Sequence, residues 1–194
     1  IWSYAFHTSA TTLLSDAMYS LDLIVLGFLM NESAVANYKV AMLIPSNFSF
    51  LALVFMQSDF GMIAKNQNNS RFLKNYILNY FKLFLPFCIL VFAIGFFLKH
   101  EIIKMIFGEK YLGISLVFVV LLFTFLMNLL FRNLFGNLLS AVGKIQINSK
   151  ISLFSLLLLL GLSYYLVPIY GVLGMALSIS FTLIVGGFFY AYFF

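Results

Sequence analysis

Charge is scarce in this sequence. Only 9% of its 194 residues are Asp, Glu, Lys or Arg, against about 25% in a typical soluble domain. No charged residue follows Lys150. Cysteine occurs once, as Cys88, and histidine only as His7 and His100, so an internal disulfide is impossible and a zinc site implausible. A phosphate-cradling glycine loop, zinc-ligand spacing and a serine or cysteine triad context are all missing. So little charge cannot coat a soluble globule, and the composition excludes a soluble enzyme, a disordered chain and a nucleic-acid binder. The net charge of +5 reads instead as loop lysines that set membrane orientation.

What is present is apolar: 63% of the residues are hydrophobic and 19% aromatic, with 25 Phe and 11 Tyr. The aromatics read as lipid-facing packing and interface belts. Only helices or closed barrels satisfy their backbone hydrogen bonds in lipid, and these runs are far longer than the roughly ten-residue strands of a barrel. A spanning helix needs about 20 residues. The sequence therefore predicts an all-α integral membrane protein with six spans, at about 5–29, 34–59, 76–98, 111–140, 146–167 and 170–194. Nothing charged lies between Lys82 and Lys99. The last apolar stretch is too long for one crossing and breaks at Val167-Pro168-Ile169-Tyr170-Gly171, which marks a hairpin.

One face of such a bundle receives Lys65, Arg71, Lys74, Lys144 and Lys150. The other receives Lys99, Lys104 and Lys110, offset by Glu32, Glu101 and Glu109. The bias makes the first face cytoplasmic, with both chain ends on it. The opening stretch carries Asp16 and Asp22 without a basic n-region, so it is no signal peptide. The sequence starts at Ile1 rather than methionine and closes at Phe194 without a polar tail. It reads as part of a larger protein, a single six-helix bundle over 1–194.

Ionisable groups at membrane depth are costly and usually face a protein interior or a watery cavity. In the first span Thr8, Thr12, Ser15, Tyr19 and Asp22 recur at helical spacing on one stripe, with Asp16 flanking it. The stripe is either one wall of a hydrated cavity or a seam against neighbouring helices; two carboxylates are hard to bury dry, which favours the cavity. Asp16 and Asp22 sit about 120° apart around the helix and make no tight pair. One can serve as a proton or cation site and the other can pair with a basic residue elsewhere. Asp59 reads as an interfacial residue. Ser46, Asn47 and Ser49 follow Pro45 and either satisfy backbone groups freed by a kink or line a path. In the fourth span Asn128 and Arg132 lie one turn apart. Arginine binds phosphate bidentately, but the position of Arg132 near the helix end favours snorkelling to the surface. With no catalytic constellation, the bundle reads as a conduit rather than an enzyme. Transporters combine polar helices with interrupted ones near the midplane, and Pro45 offers one interruption.

Five stretches carry a family likeness: Leu21-Asp22-Leu23-Ile24-Val25-Leu26-Gly27; Val35-Ala36-Asn37-Tyr38-Lys39-Val40-Ala41; Ile106-Phe107-Gly108-Glu109-Lys110-Tyr111; Asn137-Leu138-Leu139-Ser140-Ala141-Val142-Gly143-Lys144; and Val167-Pro168-Ile169-Tyr170-Gly171-Val172-Leu173-Gly174-Met175-Ala176. In this order they resemble the second half of polysaccharide flippases, the O-antigen (Wzx-type) exporters of the superfamily that includes the MATE fold. Ala36 stands where the family often has glycine, and Met175 where it often has alanine. The resemblance implies the C-terminal lobe of a MATE-like two-bundle transporter in the bacterial cytoplasmic membrane. It further implies flipping of an undecaprenyl-diphosphate-linked oligosaccharide (an O-antigen or capsule repeat unit) by alternating access, with a missing N-terminal six-helix half, membrane lipids and polysaccharide assembly proteins as partners. No cofactor is implied beyond a coupling proton or sodium ion. Asp22 belongs to the first of these motifs, whereas Arg132 lies in none. The expected substrate cavity comprises Thr12, Ser15, Asp16, Tyr19, Asp22, Asn128 and Arg132. Two rivals stand beside this reading: a MATE-type drug exporter of the same fold, and a membrane-embedded polysaccharide enzyme.

Overall fold

A computed structural model describes the backbone of residues 2–194, with all their side chains except those of 2–8, 10–12, 15, 16, 18, 19, 52 and 53. Along the chain run α1 (Trp2–Leu29), α2 (Glu32–Lys65), α3 (Ser70–Phe97), a short α4 (Lys99–Phe107), a 3-10 turn (Glu109–Ile114), α5 (Ser115–Asn128), a π-helical segment (Leu129–Asn133), α6 (Leu134–Ala141), α7 (Ile145–Tyr170) and α8 (Val172–Phe193). Among the described residues, five stretches are long and apolar enough to cross a membrane: α2, α3, the run Glu109–Ala141, α7 and α8. The expected first span coincides with α1, of which Ser20–Leu29 forms a shorter apolar helix among the described residues. The fold is an all-α membrane bundle.

Local chemistry sets the helix ends. Asn31 caps α2 by accepting the Ala34 N–H, and Asn69 caps α3 by accepting the Phe72 N–H; each cap satisfies a donor that the first turn leaves open. Glu32 in the first turn of α2 and Lys65 in its last complement the helix dipole. The α7–α8 hairpin turns at Gly171, whose φ of 59° suits glycine. Pro168 sits inside the last turn of α7, so the helix outlasts the proline by two residues.

Four expectations need correction. The Lys99–Lys110 region is not a plain loop but α4 plus the 3-10 turn, with Ile103 buried and Met105 exposed. The fourth span is not one uniform helix, since five residues of π-helix interrupt it. Pro45 does not break α2, which continues through it. Finally, α2 runs to Lys65 rather than ending near 59. At 34 residues it is about 51 Å long, so its last turns project beyond a slab of about 30 Å.

The Glu109–Ala141 crossing carries the core, with Leu121, Leu129, Leu134 and Leu138 fully buried. There α5 packs against α2 and α8, while α7 lies along both α1 and α8. Helix α3 is outermost; it meets α5 through Gly95 against Leu122 and reaches α2 through Phe48–Phe87 and Phe55–Phe84, with ring centroids 6.2 and 5.2 Å apart. The Met30 side chain approaches Gly171, so the α1–α2 and α7–α8 turns share one face. On the opposite face Gln67, Asn68 and Ser70 surround a pocket with Val142, Lys144 and Phe194.

The hairpin is tight enough to test. A Cβ on Gly174 would collide with the Leu166 carbonyl, whereas one on Gly161 would meet nothing. Gly174→Val is expected to lower stability by about 1–3 kcal/mol through overpacking, measured by denaturant unfolding in detergent. Gly161→Ala should leave the transition unchanged.

Candidate functional site

Polar side chains enter the bundle at three levels. The first is Asp22 on α1, which is fully buried with Tyr38 of α2. One carboxylate oxygen accepts the Leu23 N–H at 2.7 Å, and the other accepts the Tyr38 hydroxyl at 3.0 Å. No cation is paired with this carboxylate among the described residues. Asp22 precedes the end of α1 at Leu29 by about 10 Å of helix, which places it inside the apolar slab.

The second level is the junction of α5 with the π-helical segment, where Asn128 and Arg132 are both buried; 7% of Arg132 is exposed. From Arg132 to the end of α6 at Ala141 is about 14 Å. Arg132 is buried within the bundle and not extended to the surface, which corrects the snorkelling favoured by sequence position. A π-turn admits one more residue than an α-turn and disturbs the regular hydrogen-bond ladder. Tyr80 of α3 meets part of that demand, its hydroxyl donating to the Leu129 carbonyl at 3.0 Å. On the other side Gly187 of α8 lies against the segment; a Cβ there would sit 3.0 Å from Phe131 Cβ and 3.4 Å from the Arg132 nitrogen. Phe81 and Phe188 flank the Phe131 ring, with centroids at 5.7 and 5.3 Å.

The third level joins α6, α7 and α8. The Asn148 amide donates to the Gly136 carbonyl at 2.8 Å and to Ser140 Oγ at 2.6 Å. Tyr190 donates to the Asn148 carbonyl at 3.3 Å and shares a 3.0 Å bond with Ser152. Deeper, Thr124 of α5 bonds Ser180 of α8. The sequence reading missed this group. Its signal was legible, since the buried Asn148, Ser152, Ser155 and Ser163 recur at helical spacing along α7, but the stretch beyond Lys150 holds no ionisable group to draw notice.

Of the expected cavity residues, Thr12, Ser15, Asp16 and Tyr19 lie outside the described side chains. Asn128 and Arg132 come together on one turn, while the oxygens of Asp22 are taken by Leu23 and Tyr38. Beyond Pro45, Ser46 and Asn47 both donate to the Leu43 carbonyl and not to the Ala41 carbonyl that the proline leaves without its helical donor; Ser49 Oγ is buried without a partner among the described residues. Asp59 accepts the Tyr76 hydroxyl at 3.0 Å and so ties α2 to α3.

The chain is similar to a capsular polysaccharide biosynthesis protein. Over 112 residues it is 31% identical to CapF of Staphylococcus aureus, a match that covers 58% of this chain and 28% of that protein. The chain thus spans well under half the length of the relative it matches. No family model matches it, and no solved structure does.

The Asp22–Tyr38 bond makes a direct prediction. Tyr38→Phe removes a donor from a buried carboxylate and is expected to cost about 1–3 kcal/mol in denaturant unfolding in detergent. On an Asp22→Leu background the same change should cost clearly less. Equal costs in both backgrounds would mean that the hydrogen bond contributes nothing.

Proposed function

We propose that this chain is one six-helix lobe of a two-lobe membrane flippase. It moves an undecaprenyl-diphosphate-linked oligosaccharide, a capsule or O-antigen repeat unit, from the cytoplasmic to the outer leaflet by alternating access. The observation that carries the reading is Arg132, a permanent cation buried at membrane depth on a π-helical turn beside Asn128. Moving a diphosphate through a low-dielectric slab is prohibitive without compensating charge. Arginine supplies that charge in nearly any environment and grips phosphate with paired N–H donors. An interrupted helix near midplane is the usual setting for such a group in transporters, and here the interruption is the π-segment rather than Pro45. Similarity to CapF, whose name places it in capsular polysaccharide biosynthesis, supports a membrane role in making polysaccharide.

In this reading the lobe is a conduit and not an enzyme, and it needs no cofactor. The first span forms one wall of the path against an N-terminal six-helix lobe, as the stripe in its sequence suggests. The face bearing Lys65, Arg71, Lys74, Lys144 and Lys150 is cytoplasmic, by the excess of basic residues there. Asp22, buried against a hydroxyl with no cation paired to it among the described residues, is the group to carry a coupling proton or sodium ion. The same feature supports a second reading, a MATE-type exporter of small cations, since a buried carboxylate attracts a cationic drug as readily as a coupling ion.

The test is made in the full-length protein. Arg132→Ala is expected to reduce surface polysaccharide about 10–100-fold, the value of losing a charge-assisted hydrogen bond. Arg132→Lys should lose less. Near-normal export by both variants would remove Arg132 from the path. Asp22→Asn should impair export while protein abundance stays normal; drug resistance without a glycan phenotype would favour the small-cation exporter.

A further inference from the structure

The face opposite the α7–α8 hairpin holds a pocket of about 650 Å³ between the start of α3, the α6–α7 turn and the end of the described chain. Its volume falls within the 300–1,000 Å³ typical of ligand sites. The lining is divided. Lys74 from α3 and Lys144 from the α6–α7 turn both line it, together with Gln67, Asn68 and Ser70, so its polar lining carries two cations and three groups able to donate hydrogen bonds. Among the described residues no acidic one lines it; Asp59, the nearest carboxylate along α2, is engaged by Tyr76. Below the lysines the walls turn apolar, with Ile77 and Leu78 one turn further along α3 and Phe194 opposite. Along α3 the change from Ser70 and Lys74 to Ile77 and Leu78 takes about 12 Å at 1.5 Å per residue.

A soluble anion would use the mouth and leave the apolar walls wet. A neutral lipid would fill the walls and leave two ammonium groups without a counter-charge. An amphiphile with a phosphate at one end and acyl chains at the other satisfies both halves. Basic pockets between helices at a membrane surface bind acidic lipid headgroups for this reason. We propose that this pocket binds an anionic phospholipid, its phosphodiester held by Lys74 and Lys144 and its acyl chain laid against Ile77, Leu78 and Phe194. The bound lipid bridges α3, the outermost helix, to the α6–α7 turn across the pocket that separates them. This site does not depend on the flippase reading, and neither Lys74 nor Lys144 belongs to the transport path proposed above.

The experiment uses the full-length protein in detergent, with retained lipid measured by native mass spectrometry. Phosphatidylglycerol, phosphatidylcholine, a polyprenyl diphosphate and inorganic phosphate are added in separate arms. Phosphatidylglycerol should be retained over phosphatidylcholine, and each of Lys74→Ala and Lys144→Ala should weaken retention about five-fold. The Lys74→Arg/Lys144→Arg pair keeps both charges and should retain lipid like the parent, which separates loss of charge from loss of fold. Lys82→Ala, exposed further along α3, should change nothing. Equal retention of the two phospholipids, undiminished retention in the double alanine variant, or displacement by polyprenyl diphosphate alone would overturn the proposal, the last by making the pocket a substrate site. Displacement by inorganic phosphate at low concentration would overturn it as well, since the acyl chain would then contribute nothing.

Discussion

Hydrocarbon offers no hydrogen-bond partner, so each polar group that enters the slab must find one within the protein. Most of this bundle follows from how that demand is met. Many hydroxyls and amides turn back on their own helix: Thr124 to the Val120 carbonyl, Asn137 to Asn133, Ser140 to Gly136, Ser178 to Gly174 and Ser180 to Ala176. Such bonds satisfy a group within its own helix, and three of these hydroxyls also reach a neighbour: Thr124 and Ser180 bond each other, and Ser140 accepts from Asn148. The remaining bonds cross between helices, and they decide which helices are neighbours. Asp22 with Tyr38 joins α1 to α2, Tyr80 with Leu129 joins α3 to the π-segment, and Asn148 and Ser152 with Tyr190 join α7 to α8. Where no polar bond crosses, small residues bring backbones close, as Gly186 does against Ser155.

The π-segment gathers several of these constraints at one place. Its extra residue re-aims the side chains on either side of it, which turns Arg132 into the bundle although the distance to the helix end would let an arginine reach the surface. The price of the irregular ladder is met by Tyr80 on one flank, and the close approach of α8 is possible only because residue 187 has no side chain. Two positions in distant helices, neither charged, thereby flank the segment that carries Arg132.

The all-α membrane class was legible from the sequence, because long apolar runs broken by polar turns have few solutions in a membrane. The hairpin at Val167–Gly171 was legible for the same reason, with Gly171 at φ 59° as the turn residue. The π-segment was not. Leu129-Leu130-Phe131-Arg132-Asn133 reads as an ordinary continuation of a leucine-rich helix, and the residues that meet its irregular turn, Tyr80 and Gly187, come from elsewhere in the chain. Burial of Arg132 was misjudged with it, since depth counted along a helix says nothing about what surrounds the side chain. The α7 seam failed differently. Its spacing was in plain view, but serines in a membrane helix read as self-bonded until a tyrosine 38 residues away in the sequence is found opposite.

The buried carboxylate and the buried guanidinium approach the midplane from opposite faces, and two helices, α2 and α8, pack against both α1 and the π-segment. They differ in how freely they can bend. Helix α8 is fixed by glycine contacts at 174, 186 and 187, where any sliding brings backbone or side-chain atoms into collision. Helix α2 holds Asp22 through Tyr38 and then meets Pro45 two turns later, where the ring removes an N–H from the ladder and leaves the Ala41 carbonyl without its helical donor. The polar residues just beyond, Ser46 and Asn47, bond to Leu43 instead, so the proline is not compensated by them. A helix anchored at one end by a hydrogen bond, weakened at its middle and packed on the π-segment is the more compliant of the two connections.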